Sequence, residues 1–300
     1  MAIFRNTLDA LVERTFKLCL GDWYEGECDA GSTTTIVDAT RGEAEDFFQN
    51  IDAWARIRTT TDDAAPKGEE REITDWVKTG GTATVAPAMT ASEAGDTYAF
   101  YAGWRWDEVK SAINAAIDLF AAHALVEKLD QSIQLKSSVY EYALPDGMFV
   151  YLYRISMADS DGNFPEPIDP MQYKIIRGAS PPRIHIYRTS SEAQLEGHYV
   201  GGLFGDSGIT DNRILRVEGL GRQAYLSSDT DICYLNPDLV CFQAAALLHA
   251  RKIRRSDVDP DEHSTQFGVW QSMADAISGG APSYRALHPQ LPPNAKRVDY

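Results

Sequence analysis

The sequence predicts an α+β protein, with a helical-bundle core carrying two inserted antiparallel β modules, each a small barrel or sandwich. Three observations lead there. Helical periodicity is confined to separated segments, and the two long stretches between them have the short runs of β-strands. A lone helix of such length is only marginally stable in water, so the helices need one another. The 300 residues are 44% hydrophobic and 24% charged, the balance of an ordinary folded protein with room for a sizeable core.

The first core helix lies within residues 1–24. It runs from Phe4 to Leu20, with Phe4, Leu8, Leu11, Val12, Phe16 and Cys19 on one face and Gly21 at its end. Residues 25–105 form the first β module. The runs "TTTIVDAT", "WARIRTT", "REITDWVKT", "TATVAPA" and "DTYAFYAG" are rich in Thr, Val, Ile and aromatics, and Gly80-Gly81 marks a hairpin. A second core helix, 106–131, has Asp107 and Glu108 at its positive end. Val109, Ile113, Ala116, Ile117 and Phe120 recur in it at helical spacing. The second β module spans 132–232, with strands such as "MFVYLYRISM" and "RIHIYRTS" separated by turns. Two closing core helices occupy 233–280. Asn236 caps the first, with Pro237 and Asp238 following in its first turn, and Asp259-Pro260 starts the second. The second carries an apolar face of His263, Phe267, Trp270, Ala274 and Ile277. Residues 281–300 form an extended C-terminal tail with four prolines and no periodicity, suited to a partner's groove rather than to its own domain.

A net charge of −16 argues against tight nucleic-acid binding, yet allows a surface that DNA passes without sticking. No run approaches the ~18 apolar residues of a membrane span, and the amphipathic start is not a secretory signal. Cys19, Cys28, Cys233 and Cys241 lack CxxC spacing and suggest neither a metal site nor a disulfide framework; Cys19 and Cys241, in helical patterns, read as buried thiols, which fits folding in a reducing cytoplasm.

The tetrapeptide Gly205-Asp206-Ser207-Gly208 and the stretch Ala121-Ala122-His123 look like pieces of a trypsin-like protease. The histidine lies within a helical pattern, and Ile209-Thr210 departs from the protease sequence, so the reading fails and a capped loop replaces it. Asp159-x-Asp161-Gly162-Asn163 is a fragment of a calcium loop, but Pro170 stands where a bidentate glutamate is needed. It reads as a solvated turn. Gly219-Leu220-Gly221 precedes no helix and carries no dinucleotide reading. The six histidines show no ligand spacing, although His185 and His198 share the second β module. Tyrosines in that module fit core packing better than a glycan-binding face. No catalytic, cofactor-binding or metal-binding residue is assigned. Arg251, Lys252, Arg254 and Arg255 form a dense basic cluster, more charge than complementing a helix end requires, and so mark a partner contact.

The run "STTTIVDATR", then "WARIRTTTDDAAPKGEEREITDWVKTGGTATVAPAMTASEAGDTYAFY", then "DEVKSAINAAID", resembles the head-to-tail connector (adaptor, neck) proteins of tailed bacteriophages. The later "LSSDTDICYLNPDLVCFQAAALLHAR" is similar to the closing helical part of the same proteins. These stretches lie toward the beginning of the chain and near its end, and the second β module is its least familiar part. The resemblance implies a non-enzymatic homo-oligomeric ring, usually of twelve copies, whose helices pack side by side as an adaptor core. The ring docks below the portal protein, receives a downstream neck or tail protein and surrounds a channel for duplex DNA. It implies a place in the virion neck, after synthesis in the host bacterial cytoplasm, with no membrane. In such proteins a C-terminal tail reaches toward the portal. Tyr284, Arg285, Lys296, Arg297 and Tyr300 are therefore candidate contacts beside Arg251, Lys252, Arg254 and Arg255. The alternative is another particle component, a tail or baseplate protein whose β modules bind receptors or glycans.

Overall fold

The computed structural model describes residues 4–19, 21–63, 66–121, 124–136, 139–159, 161–164, 167–187, 212–253, 259–279 and 295–298. The chain divides into two compact units, residues 1–119 with 225–284 and residues 120–224 with 285–300. Its elements begin with β1 (Asn6–Thr7), α1 (Leu8–Leu18), β2 (Trp23–Glu27), β3 (Ala30–Gly31), β4 (Thr35–Val37) and α2 (Phe47–Asn50). There follow β5 (Trp54–Thr59), β6 (Glu70–Val77), β7 (Thr82–Ala86), β8 (Thr97–Tyr101) and α3 (Trp106–Phe120). The second unit contributes β9 (Leu125–Gln134), β10 (Glu141–Ala143), β11 (Tyr151–Met157), β12 (Tyr173–Ile176), β13 (Arg183–Ile186) and β14 (Ile214–Arg222). The chain continues through β15 (Ile232–Cys233), α4 (Pro237–Lys252), α5 (Pro260–Gly279) and β16 (Lys296–Arg297). Sixteen strands in four sheets thus stand against five α-helices among the described residues, which overturns the helical-bundle core. The molecule is α+β, but sheet dominates it.

The first unit is built on a seven-stranded antiparallel sheet in the order β2-β8-β5-β6-β7-β4-β3. Its two outer strands are separated in sequence only by Cys28 and Asp29. The Cys28 amide donates to the Asp96 carbonyl at 2.8 Å, on the β8 side, and the Asp29 amide donates to the Val37 carbonyl at 2.8 Å, in β4. One bent strand therefore serves both edges, and the sheet curls into a small barrel with no long open edge. At the β6–β7 hairpin both glycines take positive φ, Gly80 at 87° and Gly81 at 58°. A Cβ on Gly81 would also lie 1.8 Å from the Asp38 carbonyl oxygen.

Aromatic rings fill the barrel. Phe48 meets Trp76 and Phe100 edge-on, each at 4.9 Å between centroids, and Tyr24 at 5.2 Å. Alternation sends Tyr98 and Phe100 of β8 inward and Ala99 and Tyr101 outward, yet all four are buried. The outward ones are covered by helices. Tyr101 lies 4.8 Å from Phe16 of α1 and 6.3 Å from Trp106 of α3. The helices thus bury their apolar faces on a sheet as well as on one another. This is the physical reason that the bundle expectation failed.

Local signals set most helix ends. Thr7 caps α1, its hydroxyl accepting the Ala10 amide at 3.3 Å, and the helix begins at Leu8 because Asn6 and Thr7 pair with Cys233 and Ile232. Asn236 caps α4 through the Asp238 amide at 2.9 Å, with Pro237 in the first turn. The core helix expected within 106–131 stops at Phe120. From Leu125 the chain is strand β9, aligned antiparallel with β14 from Leu125↔Arg222 to Gln134↔Ile214. "LVEKL" has good helix formers, and tertiary pairing overrides that preference.

The second unit contains a four-stranded sheet, β16-β11-β14-β9, and a three-stranded one, β10-β13-β12, with one hydrophobic cluster drawn from both. Ile155 and Val217 come from the larger sheet and Ile184 and Ile186 from the smaller. Gly219 lies where a Cβ would sit 2.3 Å from the Tyr151 carbonyl oxygen, so the glycine serves close strand approach.

Truncation of Phe48 to Ala should cost the first unit about 3–5 kcal/mol, measured by chemical denaturation followed through tryptophan fluorescence. A loss below ~1 kcal/mol would show that the ring cluster does not hold the barrel.

Candidate functional site

The basic cluster ends helix α4. Arg251 is exposed and reaches the Ser111 hydroxyl at 3.4 Å. Lys252 is engaged within its own unit. Its Nζ donates to the Gly103 carbonyl at 2.6 Å and lies 3.9 Å from the centroid of the Trp104 ring, so it ties the β8–α3 connection to the helix. Arg254 and Arg255 lie outside the described residues.

The C-terminal candidates separate in the same way. Tyr284, Arg285 and Tyr300 lie outside the described residues. Lys296 and Arg297 form strand β16, pairing with Leu152 and Tyr151 of β11. The Lys296 ammonium donates to the carbonyls of Pro170 and Tyr173, both at 2.6 Å, and lies 4.0 Å from the centre of the Tyr173 ring. Burial lowers its pKa from the ordinary value. Val298 is 2% exposed, and its amide donates to the Val150 carbonyl at 2.7 Å. This part of the tail therefore packs on its own unit, contrary to expectation. One apolar side chain at register and an open sheet edge were enough.

Helices α4 and α5 form an antiparallel hairpin with three layers of contact. Phe242 stacks on Trp270 at 5.8 Å, and the amides of Gln243 and Gln271 exchange hydrogen bonds at 3.1 and 3.4 Å. The third layer is His249 against His263, Nδ1 to Nδ1 at 2.8 Å. Helix α4 is the buried partner, with Leu239, Val240, Ala244, Ala245 and Leu248 in the core. Helix α5 is the outer one. Of the face expected to be apolar, Ala274 is buried while His263, Phe267, Trp270 and Ile277 are half-buried. Val269 and Met273, 42% and 43% exposed, face outward on adjacent turns beside the small residues Thr265, Gly268, Ser272 and Ala276. The helical pattern in the sequence indicates the hairpin, but not which of its faces stays open.

At the barrel mouth, Glu25, Glu27, Asp29, Asp38 and Glu43 surround one arginine, Arg41, in a depression of about 500 Å³. Arg41 Nε donates to the Tyr98 hydroxyl at 2.8 Å, Nη1 to Glu43 at 3.1 Å and Nη2 to the Glu25 carbonyl. Burial alone would raise the Asp38 carboxyl. Hydrogen bonds from Thr40 and Tyr98, with the Arg41 charge, outweigh it and hold the group below the usual carboxylate range. An excess of carboxylates over one fully engaged guanidinium repels phosphate.

Other sequence candidates have local explanations. Asp159 accepts the amides of Asp161 and Asn163 at 2.9 and 2.8 Å, which closes a turn. His185 Nδ1 lies 3.5 Å from Glu141, while His198 is outside the described residues, as are His123 and Ser207 with its flanking glycines. Tyr142, Tyr173 and Tyr187 are core residues of the second unit. All four cysteines are free and buried, and burial pushes the thiols of Cys19 and Cys28 up to about 12 and those of Cys233 and Cys241 to about 11. Among the described residues no group of three or more His, Cys, Asp or Glu is placed to hold a metal ion, and no helix is long and apolar enough to cross a membrane. Neither protein-family models nor curated proteins match the chain.

Removing residues 295–300 should destabilise the second unit by at least the ~1.5–3 kcal/mol of burying a valine side chain. Hydrogen exchange at β11 should accelerate at the same time. Unchanged exchange at Tyr151 and Leu152 would mean that β16 is not docked in solution.

Proposed function

We propose that the chain is a structural subunit of a tailed-bacteriophage neck, a head-to-tail connector that assembles as a ring below the portal, docks the tail and surrounds the passing DNA. The observation that carries the self-assembly is helix α5. It rests on α4, and it presents Val269 and Met273 to solvent beside the small residues Thr265, Ser272 and Ala276, with Glu262 at the N-terminal end of the strip. An open apolar strip of this kind marks a protein contact, and a second copy of the same helix layer is the occupant that a ring requires. Small residues along the strip permit close approach of a neighbouring helix.

The sequence resemblance to connector proteins supports the same reading, as does the charge. At −16 the subunit as a whole repels duplex DNA, which suits a conduit rather than a binder. The large β content gives the ring a different build from a pure helical bundle, with barrel and sandwich modules carried on each subunit. Arg251, exposed at the end of α4, is the described residue of the basic cluster best placed to meet the portal protein.

Replacing Val269 and Met273 together by Asp should disperse the assembly to subunits while leaving the subunit's circular dichroism and melting temperature nearly unchanged, since both side chains are already exposed. Light scattering after gel filtration and negative-stain class averages read the outcome. Wild-type rings should show a lumen that admits duplex DNA. A wild-type protein that stays monomeric at high concentration, or a double variant that still forms rings of the same size, would refute the contact.

A further inference from the structure

We propose that His249 and His263 form a proton-operated latch, which seats helix α5 on helix α4 while the pair is neutral and releases it on protonation. The latch is independent of what the chain assembles with. The two imidazoles face each other through Nδ1 at 2.8 Å, so one nitrogen must carry a proton and the other must not. His249 is 2% exposed, and among the described residues its buried Nε2 has no hydrogen-bond partner. His263 is half-buried. A bare lone pair is the cheaper orphan in such a place, because a buried N–H without an acceptor is rarely tolerated. The arrangement therefore assigns Nδ1–H of His249 as donor and Nδ1 of His263 as acceptor, with the Nε2–H of His263 on the more open side.

Proton uptake undoes this in two steps. The first added proton forces an N–H onto the enclosed Nε2 of His249. The second protonates both Nδ1 atoms, which removes the hydrogen bond and sets two positive charges face to face. Among the described residues the surroundings offer no compensating charge. Trp104 holds both rings edge-on, at 5.6 Å from His249 and 6.3 Å from His263. From α4 itself the facing charge is Lys252, above that same indole, while Arg251 is exposed at the helix end. The Cys19 thiol, just past the end of α1, is kept neutral by burial and feels the Lys252 charge. Arg105, beyond Trp104, stacks on Trp54 at 4.3 Å. On α5 the acids of the first turn, Asp259, Asp261 and Glu262, are exposed. Burial first, then the charges of His263 and Lys252, push the His249 pKa down to about 4.

The sign follows. A released His249 has an ordinary pKa near ~6.5, so the open form binds more protons than the seated one between that value and about 4. The latch is fully closed above the upper limit and weakens as pH falls through the window. The open fraction should grow by up to about tenfold per pH unit. The position of the pair suits the role, since His263 sits in the first turn of α5, where helix release begins.

The test is hydrogen exchange of the full chain, equilibrated at several pH values from 8 to 4 and pulse-labelled at one fixed pH. In the wild type, amides of residues 260–279 should lose protection below ~6.5, ahead of those of β8. His249→Asn keeps a hydrogen-bonding atom at the Nδ1 position but removes the buried ring whose titration sets the window, and should flatten that dependence. The same pH dependence in wild type and variant, or none in the wild type, would overturn the latch. Should the variant fail to fold, ¹⁵N chemical shifts of the wild-type ring nitrogens decide. A His249 that is protonated at Nδ1, neutral down to pH ~5 and coupled to His263 upholds the proposal. Two independent titrations near ~6.5 would overturn it.

Discussion

Strand β8 is the constraint on which the first unit depends. Thr97–Tyr101 is a central strand, bonded to β2 on one side and β5 on the other, and its residues from Tyr98 to Tyr101 are buried on both faces. Inward, Tyr98 and Phe100 complete the ring cluster of the barrel. Outward, Tyr101 receives Phe16 and stacks at 5.7 Å with Trp23. Burial raises the Tyr101 hydroxyl well above its ordinary pKa, and it donates to Glu70 at 2.8 Å. The same Glu70 oxygen accepts the Trp106 amide at 3.0 Å and so anchors the start of α3. Barrel and helices are one structure because this strand has no solvent face.

Charged side chains then fix the helices laterally. Arg58, 17% exposed at its side chain, bonds Asp9 of α1, Glu13 of α1 at 2.9 Å and Glu25 of β2 at 2.9 Å. Arg56 reaches Asp229 at 2.6 Å, and its guanidinium lies 4.2 Å from the Trp106 ring centre. Removal of Arg56 would leave the half-buried Asp229 without this partner, and removal of Arg58 would do the same to Asp9, whereas Glu13 keeps Lys17 at 2.6 Å. The arginines and aromatics of the barrel are thus positioning elements, and the hairpin of α4 and α5 is the part whose outer face stays open to solvent.

That hairpin explains how one element serves two roles. Helix α4 is apolar almost all round and belongs to the core. Helix α5 has contacts on one side, made by rings and amides in layers, with small and apolar residues on the other. An outer helix packed mainly against one neighbour is a natural site for controlled seating. A histidine pair at one end of the hairpin is sufficient to bias that balance with pH.

Much of this was legible in the sequence. The Asn236-Pro237-Asp238 start, the turn at Gly80-Gly81, the Asp259-Pro260 start and the strand runs of both β regions are local signals, and they were readable because caps and turns are decided by a few adjacent residues. What only the tertiary structure decided was which apolar faces meet. The first helix and Trp106 bury against a sheet, residues 125–134 join a sheet despite their helix-forming composition, and Val298 brings the chain end back to a core. Residues 249 and 263 meet because an antiparallel hairpin aligns positions equidistant from its turn, which spacing along a single helix cannot reveal. Hydrophobic burial is non-directional: a sequence states which side chains must leave water, and long-range geometry chooses the partner that removes them.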